Sequence, residues 1–211
     1  MEIYYFDSLP STHTYALEQI RKNKFLPPFV VYAKKQTDGI GSRGNIWESF
    51  EDNLHVSFCV KMKHLPFDLP AASISIYVGM VMKEILNSLG SQVWLKWPND
   101  FYINNLKIGG VMGIKTLDVF IVSIGVNLHT APLGFGVLDI SISPRDCVQR
   151  IIEALHTPPS WKNIFSKYKL EFEYSKKFSS HIGEEYVSLS MATLCEDGSI
   201  IIGNKKVYNL R

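Results

Sequence analysis

What this sequence has little of narrows its chemistry before any motif is read. It holds three cysteines, Cys59, Cys147 and Cys195, an odd number with no Cys-x-x-Cys pair. A disulfide framework and a cysteine zinc site are thereby disfavoured, and reduced thiols in the cytoplasm are expected. The six histidines, at 13, 55, 64, 129, 156 and 181, show no metal-ligand spacing. No apolar run approaches the ~18 residues of a membrane helix, and Met1-Glu2-Ile3 opens into a strand pattern with no basic and then apolar leader. Charge favours neither sign: 22 basic against 20 acidic residues leave a net +2, so there is no electrostatic argument for nucleic acid or a membrane as partner. Repeats, low-complexity segments and long like-charge runs are missing too.

What is present is an apolar content of 46% with 20% charged residues over 211 positions, enough for one folded domain with a small appendage. Polar chemistry concentrates in Lys96-Trp97-Pro98-Asn99-Asp100 and in Lys107-Ile108-Gly109-Gly110, with apolar runs at 93–95, 101–103 and 111–114 around them. Pro98 lacks a backbone N–H and restricts Trp97 to extended geometry, which predicts the end of a strand over 93–97. Alternation along it puts Trp94 and Lys96 on one face and Val93, Leu95 and Trp97 on the other. A turn at Asn104-Asn105 brings Lys107 to the head of the next strand, near the Pro98 corner.

Along the rest of the chain a strand over 3–6 leads to Ser11, placed as the N-cap of a helix over 12–24 whose first turn offers free N–H groups. After a strand over 29–33 comes Gly39-Ile40-Gly41-Ser42-Arg43-Gly44 and then Trp47. No helical pattern follows, which excludes a dinucleotide fingerprint, and no Gly-Lys-Ser or Gly-Lys-Thr ends it, which excludes a Walker loop. An anion-binding backbone concavity and an ordinary surface loop both remain. A strand over 53–60, a long apolar helix over 71–89 and a hairpin of 111–114 with 119–124 are expected next, the last ending in Gly125-Val126-Asn127. Helices over 147–155 and 161–174 and short strands over 186–189, 191–195, 199–203 and 205–210 close the chain, the last four suggesting a small β-barrel.

Taken in order, Ser11-Thr12-His13, Gln36 with the loop from Gly39 to Trp47, the unbroken Lys96-Trp97-Pro98-Asn99-Asp100, Lys107-Ile108-Gly109-Gly110 and Gly125-Val126-Asn127 resemble the motifs of the biotin–protein ligases over nearly the whole chain. The resemblance implies an α+β fold, a mixed or antiparallel central sheet packed with helices as in the class II synthetase-like biotin and lipoate ligases. Residues 1–180 would form the catalytic domain and 181–211 a small C-terminal SH3-like β-barrel. The implied activity is that of a biotin–acetyl-CoA-carboxylase ligase. ATP and Mg²⁺ serve to activate biotin as biotinyl-5'-AMP, and the acyl group then passes to a lysine of a biotin carboxyl carrier protein.

Carried over residue by residue, the resemblance puts Ser11, Thr12 and Gln36 on the ureido ring with the backbone of Gly39, Ile40 and Gly41, and Gly109 and Gly110 beside the biotin tail. Lys107 becomes the catalytic lysine that meets the carboxylate. Ser42, Arg43, Trp47, Asn99, Asp100, Gly125 and Asn127 fall on ATP or the adenylate, with Asp100 also toward the metal, while Lys96 has a ligand role and a structural one open to it. There are departures. Loop positions where the family carries arginine hold Ile40, Ser42 and Asn45, His13 stands for the usual Asn, and Ile114 for a common Glu. Fewer loop charges imply a weaker hold on phosphates. A lipoate–protein ligase and a catalytically weak biotin- or carrier-binding module remain as alternatives, and a homodimer through a sheet edge is open. Repression is not expected, because the first ligand motif already stands at residue 11.

Overall fold

Stretches rich in β-branched and aromatic residues become the strands of one seven-stranded sheet, and the apolar or amphipathic stretches between them become helices. The computed structural model describes residues 1–208, leaving aside the side chain of residue 43. The N-terminal half contains β1 (Glu2–Leu9), α1 (Thr12–Arg21), β2 (Phe29–Gln36), the two-residue strands β3 (Gly39–Ile40) and β4 (Ile46–Trp47), β5 (Leu54–Lys61) and α2 (Ile74–Ser88). Then follow β6 (Trp94–Lys96), β7 (Asp100–Ile103), β8 (Leu106–Thr116), β9 (Val119–Val126), α3 (Pro144–His156) and α4 (Trp161–Ser175). The chain ends through β10 (Ser179–Ile182), β11 (Glu185–Ser188), β12 (Thr193–Leu194), β13 (Ile200–Ile202) and β14 (Lys205–Val207). Across the large sheet the order is β1-β2-β5-β9-β8-β7-β6, parallel between β1 and β2 and antiparallel elsewhere.

Both faces of the central strands are covered: β2 is buried over its apolar residues 29–33, and β5 is buried from Leu54 to Val60, His55 and Ser57 included. On one face α1 packs Ala16 and Ile20 against Phe29, Val31, Cys59 and Ile121. On the other lies α2, buried on nearly every side, together with Val30, Val56, Phe58, Leu95, Trp97 and residues of α3 and α4. Edge strand β6 does not expose its donors. The N–H groups of Leu95 and Trp97 go to Glu171 Oε2 at 3.2 Å and Ser175 Oγ at 2.9 Å, so α4 closes an edge that would otherwise invite pairing. Glu171 is itself balanced by Lys83 at 2.9 Å.

The expected elements recur, with differences. The helix expected over 12–24 stops at Arg21, and the one expected over 71–89 begins with a 3-10 turn, Ala71–Ser73. The strand expected through Trp97 ends at Lys96, because Trp97, Pro98 and Asn99 make the turn into β7, with a cis Trp97–Pro98 peptide. The glycine-rich segment is not a bare loop: β3 and β4 pair, Gly39 opposite Trp47, around a 3-10 turn at Ser42–Gly44. Finally, β10 pairs only with β11, and β12, β13 and β14 form a separate small sheet, so among the described residues the C-terminal strands do not close into a barrel. The strand expected over 205–210 is Lys205–Val207, and 209–210 lie outside the described residues. This segment is tied to the body: Leu189, Ala192 and Ile200 enter the main core, and the indole N–H groups of Trp97 and Trp161 donate to the carbonyls of Gly198 at 3.0 Å and Glu196 at 2.9 Å.

Candidate active site

The site begins where β1 and β2 end. Leu9 and Gln36 are register partners, so the turn into α1 arrives beside the end of β2. Ser11 caps α1 by accepting from Thr14 N–H at 3.4 Å. Thr12 donates to Gln36 Oε1 twice, from its backbone N–H at 2.8 Å and from its hydroxyl at 3.2 Å. Beneath this wall the chain of polar atoms continues inward. Ser57 Oγ donates to Thr12 Oγ1 at 2.9 Å and contacts Ser123 Oγ at 2.8 Å, and Ser123 Oγ lies 2.8 Å from His13 Nδ1.

The β3–β4 hairpin lies against the sheet from one side. Its base is held by Ser49, which accepts from Gln36 N–H at 2.9 Å and bonds His55 Nε2 at 3.1 Å. Its end is held by Trp47, whose ring packs so closely on Gly125 that a Cβ there would come within 2.9 Å of it. The opposite wall comes from β6, β7 and β8. Lys107 Nζ pairs with Asp100 Oδ1 at 2.7 Å, and Lys96 Nζ stands 3.9 Å from Asp100 Oδ2 and 5.6 Å from the centre of the Tyr102 ring.

Strict alternation would send Lys107 and Gly110, three residues apart on β8, to opposite faces. Both line the same cleft, because the register with β7 slips there: Phe101 faces Gly109 and Tyr102 faces Lys107, leaving Ile108 as a bulge. The two lysines differ in kind. The Lys96 side chain is only 6% exposed, against 31% for Lys107. Burial pushes the Lys96 ammonium below the usual lysine range, with neighbouring Asp100 acting in the opposite direction and Lys107 adding to the decrease. Lys96 does not line the cleft, so it braces Asp100 from behind, and Lys107 is the lysine that lines it.

The cleft encloses about 520 Å³, its open mouth included. Of the residues expected in the site, Ser11, Thr12, Gln36, Ile40, Gly41, Ser42, Trp47, Asn99, Asp100, Lys107, Gly110 and Gly125 line it. Three do not. Gly39 and Gly109 are positions of close backbone approach, where a Cβ would meet the carbonyl oxygens of Trp47 and Gly125 at 2.4 Å. Asn127 lies at a neighbouring depression with Ile46, Trp47, Leu133 and Phe135; its NH₂ donates to Gly136 O at 3.2 Å and its buried Oδ1 has no partner among the described residues. Asn99 reaches the cleft, but its NH₂ is committed to Val111 O at 2.5 Å, which pins the Pro98 turn to β8. The side chain of Arg43 lies outside the described residues. His13, placed in a motif by the sequence but given no ligand role, and Val111, Met112, Ser123 and Ile124, which the sequence reading did not assign to the site, also line the cleft. A signal for one existed: Ser123 interrupts an otherwise apolar strand.

Chemically the cleft has hydrogen-bonding groups at one end and a cation–carboxylate pair at the other. Asp100 is the one acidic side chain among its described lining residues, and among the described residues no cluster of three His, Cys, Asp or Glu could hold a metal alone. That donor set fits Mg²⁺, which is commonly held by one or two carboxylates with substrate phosphates.

A model of the biotin/lipoate A/B protein ligase family matches residues 5–129. The crystal structure of biotin acetyl coenzyme A carboxylase synthetase from Helicobacter pylori, with bound biotinylated ATP, superposes with a TM-score of 0.94 at 42% identity, covering 98% of this chain and 99% of that one. The biotin protein ligase of Aquifex aeolicus, in complex with biotin and ATP, shares the fold at a TM-score of 0.75 and 24% identity, covering 98% of this chain and 95% of that one. In sequence, biotin–protein ligase 2 of Arabidopsis thaliana is 30% identical over 69% of this chain and 42% of that protein. The bifunctional ligase/repressor BirA of Escherichia coli is 34% identical over 58% and 39%. The match thus spans about two fifths of the length of these curated relatives. Over the part they share, the chain belongs to the biotin/lipoate A/B protein ligase family, among its biotin–protein ligases.

Proposed function

We propose that this chain activates biotin with ATP and transfers it to a lysine of a biotin carboxyl carrier protein, the acetyl-CoA carboxylase subunit being the specific target. The observation that carries this reading is the placement of the Thr12–Gln36 wall and the Lys107–Asp100 pair in one cleft. A cyclic urea offers a carbonyl and two N–H groups, which suits a wall of hydroxyl and amide groups. A dithiolane ring offers neither, which argues against lipoate. The biotin tail passes Gly110, where there is no side chain in its way, and brings the carboxylate to Lys107.

Two anions must then meet. The biotin carboxylate attacks the α-phosphorus of ATP, a P–O bond forms and pyrophosphate leaves; Lys107 offsets the charge at the point of contact. Asp100 would hold the Mg²⁺ that accompanies ATP once Lys107 engages the carboxylate, and that ion would supply charge neutralisation on the phosphates. The β3–β4 hairpin screens the resulting mixed anhydride from water. In the second half the neutral amine of the carrier lysine attacks the acyl carbon, AMP leaves, and one proton is released. Beyond the end of β7, residues 112–116 of β8 keep one unpaired edge among the described residues, suited to a strand of the carrier or of a second copy. Three free thiols suit a cytoplasmic location.

The test is ATP–pyrophosphate exchange. Exchange that depends on biotin and is not supported by lipoate is expected; a chain that binds biotin without exchange is a binding module. The loop supplies a second expectation. Ile40 and Ser42 stand at the cleft without cationic groups, and each missing charge-assisted contact is worth roughly 1.5–3 kcal/mol. In single-turnover chases Ser42→Arg should lengthen the life of bound adenylate about tenfold or more on that scale; an unchanged lifetime assigns retention to other groups.

A further inference from the structure

Ser57 and Ser123 are unusual residues for their places. They face each other in register on β5 and β9, at the middle of the sheet, with Ser57 fully buried. Buried hydroxyls destabilise a core unless they find partners. Here they link His13 to Gln36, and the direction of every bond in that chain can be deduced.

The Thr12 backbone N–H can only donate, so the atom of Gln36 that meets it at 2.8 Å is the amide oxygen. Thr12 Oγ1 gives its single hydrogen to the same oxygen at 3.2 Å and therefore accepts from Ser57 at 2.9 Å. Ser57 has then used its hydrogen, so Ser123 is the donor across the 2.8 Å contact between them. Ser123 has none left for His13, so it is His13 Nδ1 that carries the proton and donates it to Ser123 Oγ at 2.8 Å. Burial holds the His13 pKa down at about 4, so the ring is neutral and Nε2 is left as a bare acceptor. Its bond to Ser123 is the only one His13 makes among the described residues, and the ring lines the cleft. At the other end Gln36 Nε2 remains a donor.

We propose that His13 is a specificity-determining residue: its Nε2, fixed as an acceptor by the one-way hydroxyl chain behind it, takes a ring N–H of the bound substrate. Gln36 Nε2 takes the carbonyl, and the wall thereby selects a cyclic urea over a ring without N–H groups. This rests on the biotin reading above.

The test combines ¹⁵N NMR of the histidine-labelled chain with calorimetric binding of biotin. Free chain should show His13 protonated at Nδ1 and bare at Nε2. Addition of biotin should move the Nε2 resonance upfield, and ¹⁵N-labelled biotin should show a scalar coupling across the hydrogen bond to it. His13→Ala and Ser123→Ala should each weaken biotin about tenfold, the scale of one lost hydrogen bond. His13→Leu, which carries no acceptor, serves as a second variant should His13→Ala not fold, with a similar loss expected. Biotin binding with an unmoved Nε2, a proton on Nε2, or affinity undiminished in the His13 variants overturns the proposal alone. An unaltered chain that binds no biotin overturns the functional reading and this proposal with it.

Discussion

Lys107→Ala is expected to lower biotin-dependent ATP–pyrophosphate exchange by about a hundredfold or more, the usual scale for removing a group that stabilises developing charge. Lys107 is the cleft-facing cation, a third exposed, and nothing in the core leans on it. Its loss leaves Asp100 with Lys96 at 3.9 Å, so the carboxylate keeps a partner and the fold should persist with a melting temperature near that of the unaltered chain. Lys107→Arg is expected to recover little, since a planar guanidinium does not occupy the position of a compact ammonium. Near-normal exchange in Lys107→Ala would remove the residue from the mechanism.

Mild acid should destabilise the chain more than any single surface substitution. His13 and His55 are both buried, and burial lowers each from 6.5 to about 4. In the unfolded chain both rings take up a proton near pH 6.5, whereas in the folded chain they stay neutral until about 4. Between those values the unfolded state binds more protons, so stability is complete above pH 6.5 and is lost as pH falls toward 4. Each ring contributes roughly 3 kcal/mol to that loss at one pKa unit per 1.36 kcal/mol. Urea titrations at pH 7 and 4.5 measure it. His55→Gln should remove its share of the slope, and a midpoint that does not move between the two pH values contradicts the burial of neutral rings.

The α+β architecture was legible because it depends on local pattern. The apolar run 29–33 announced a buried strand and the alternation at 53–60 a second strand, and alternation at 93–97 grouped Val93, Leu95 and Trp97 on one face, the face that lies in the core. That same alternation set Lys96 beside Trp94, yet it could not tell that the face would be covered. The covering comes from Tyr102 and Phe178, whose rings lie 5.2 and 5.3 Å from Trp94; Tyr102 is its register partner on β7, and Phe178 belongs to a distant segment. The β3–β4 hairpin was illegible for a related reason: glycines and serines carry no period, and what holds Trp47 is a contact with Gly125. The bulge at Ile108 and the Val111 carbonyl that engages the Asn99 NH₂ are likewise products of pairing between strands. Motif order was enough to gather most of the cleft, but Ser57, Ser123 and His13 acquire meaning only when β5, β9 and α1 meet.

The central claim is that the Lys107 end of the cleft makes an acyl-adenylate that a carrier lysine then consumes. Intact-mass spectrometry of an apo carrier domain after incubation with this chain, biotin, ATP and Mg²⁺ tests it most directly. A mass gain of one biotinyl group, absent without ATP, is the predicted result. A carrier whose mass stays unchanged while the chain holds biotin would contradict it.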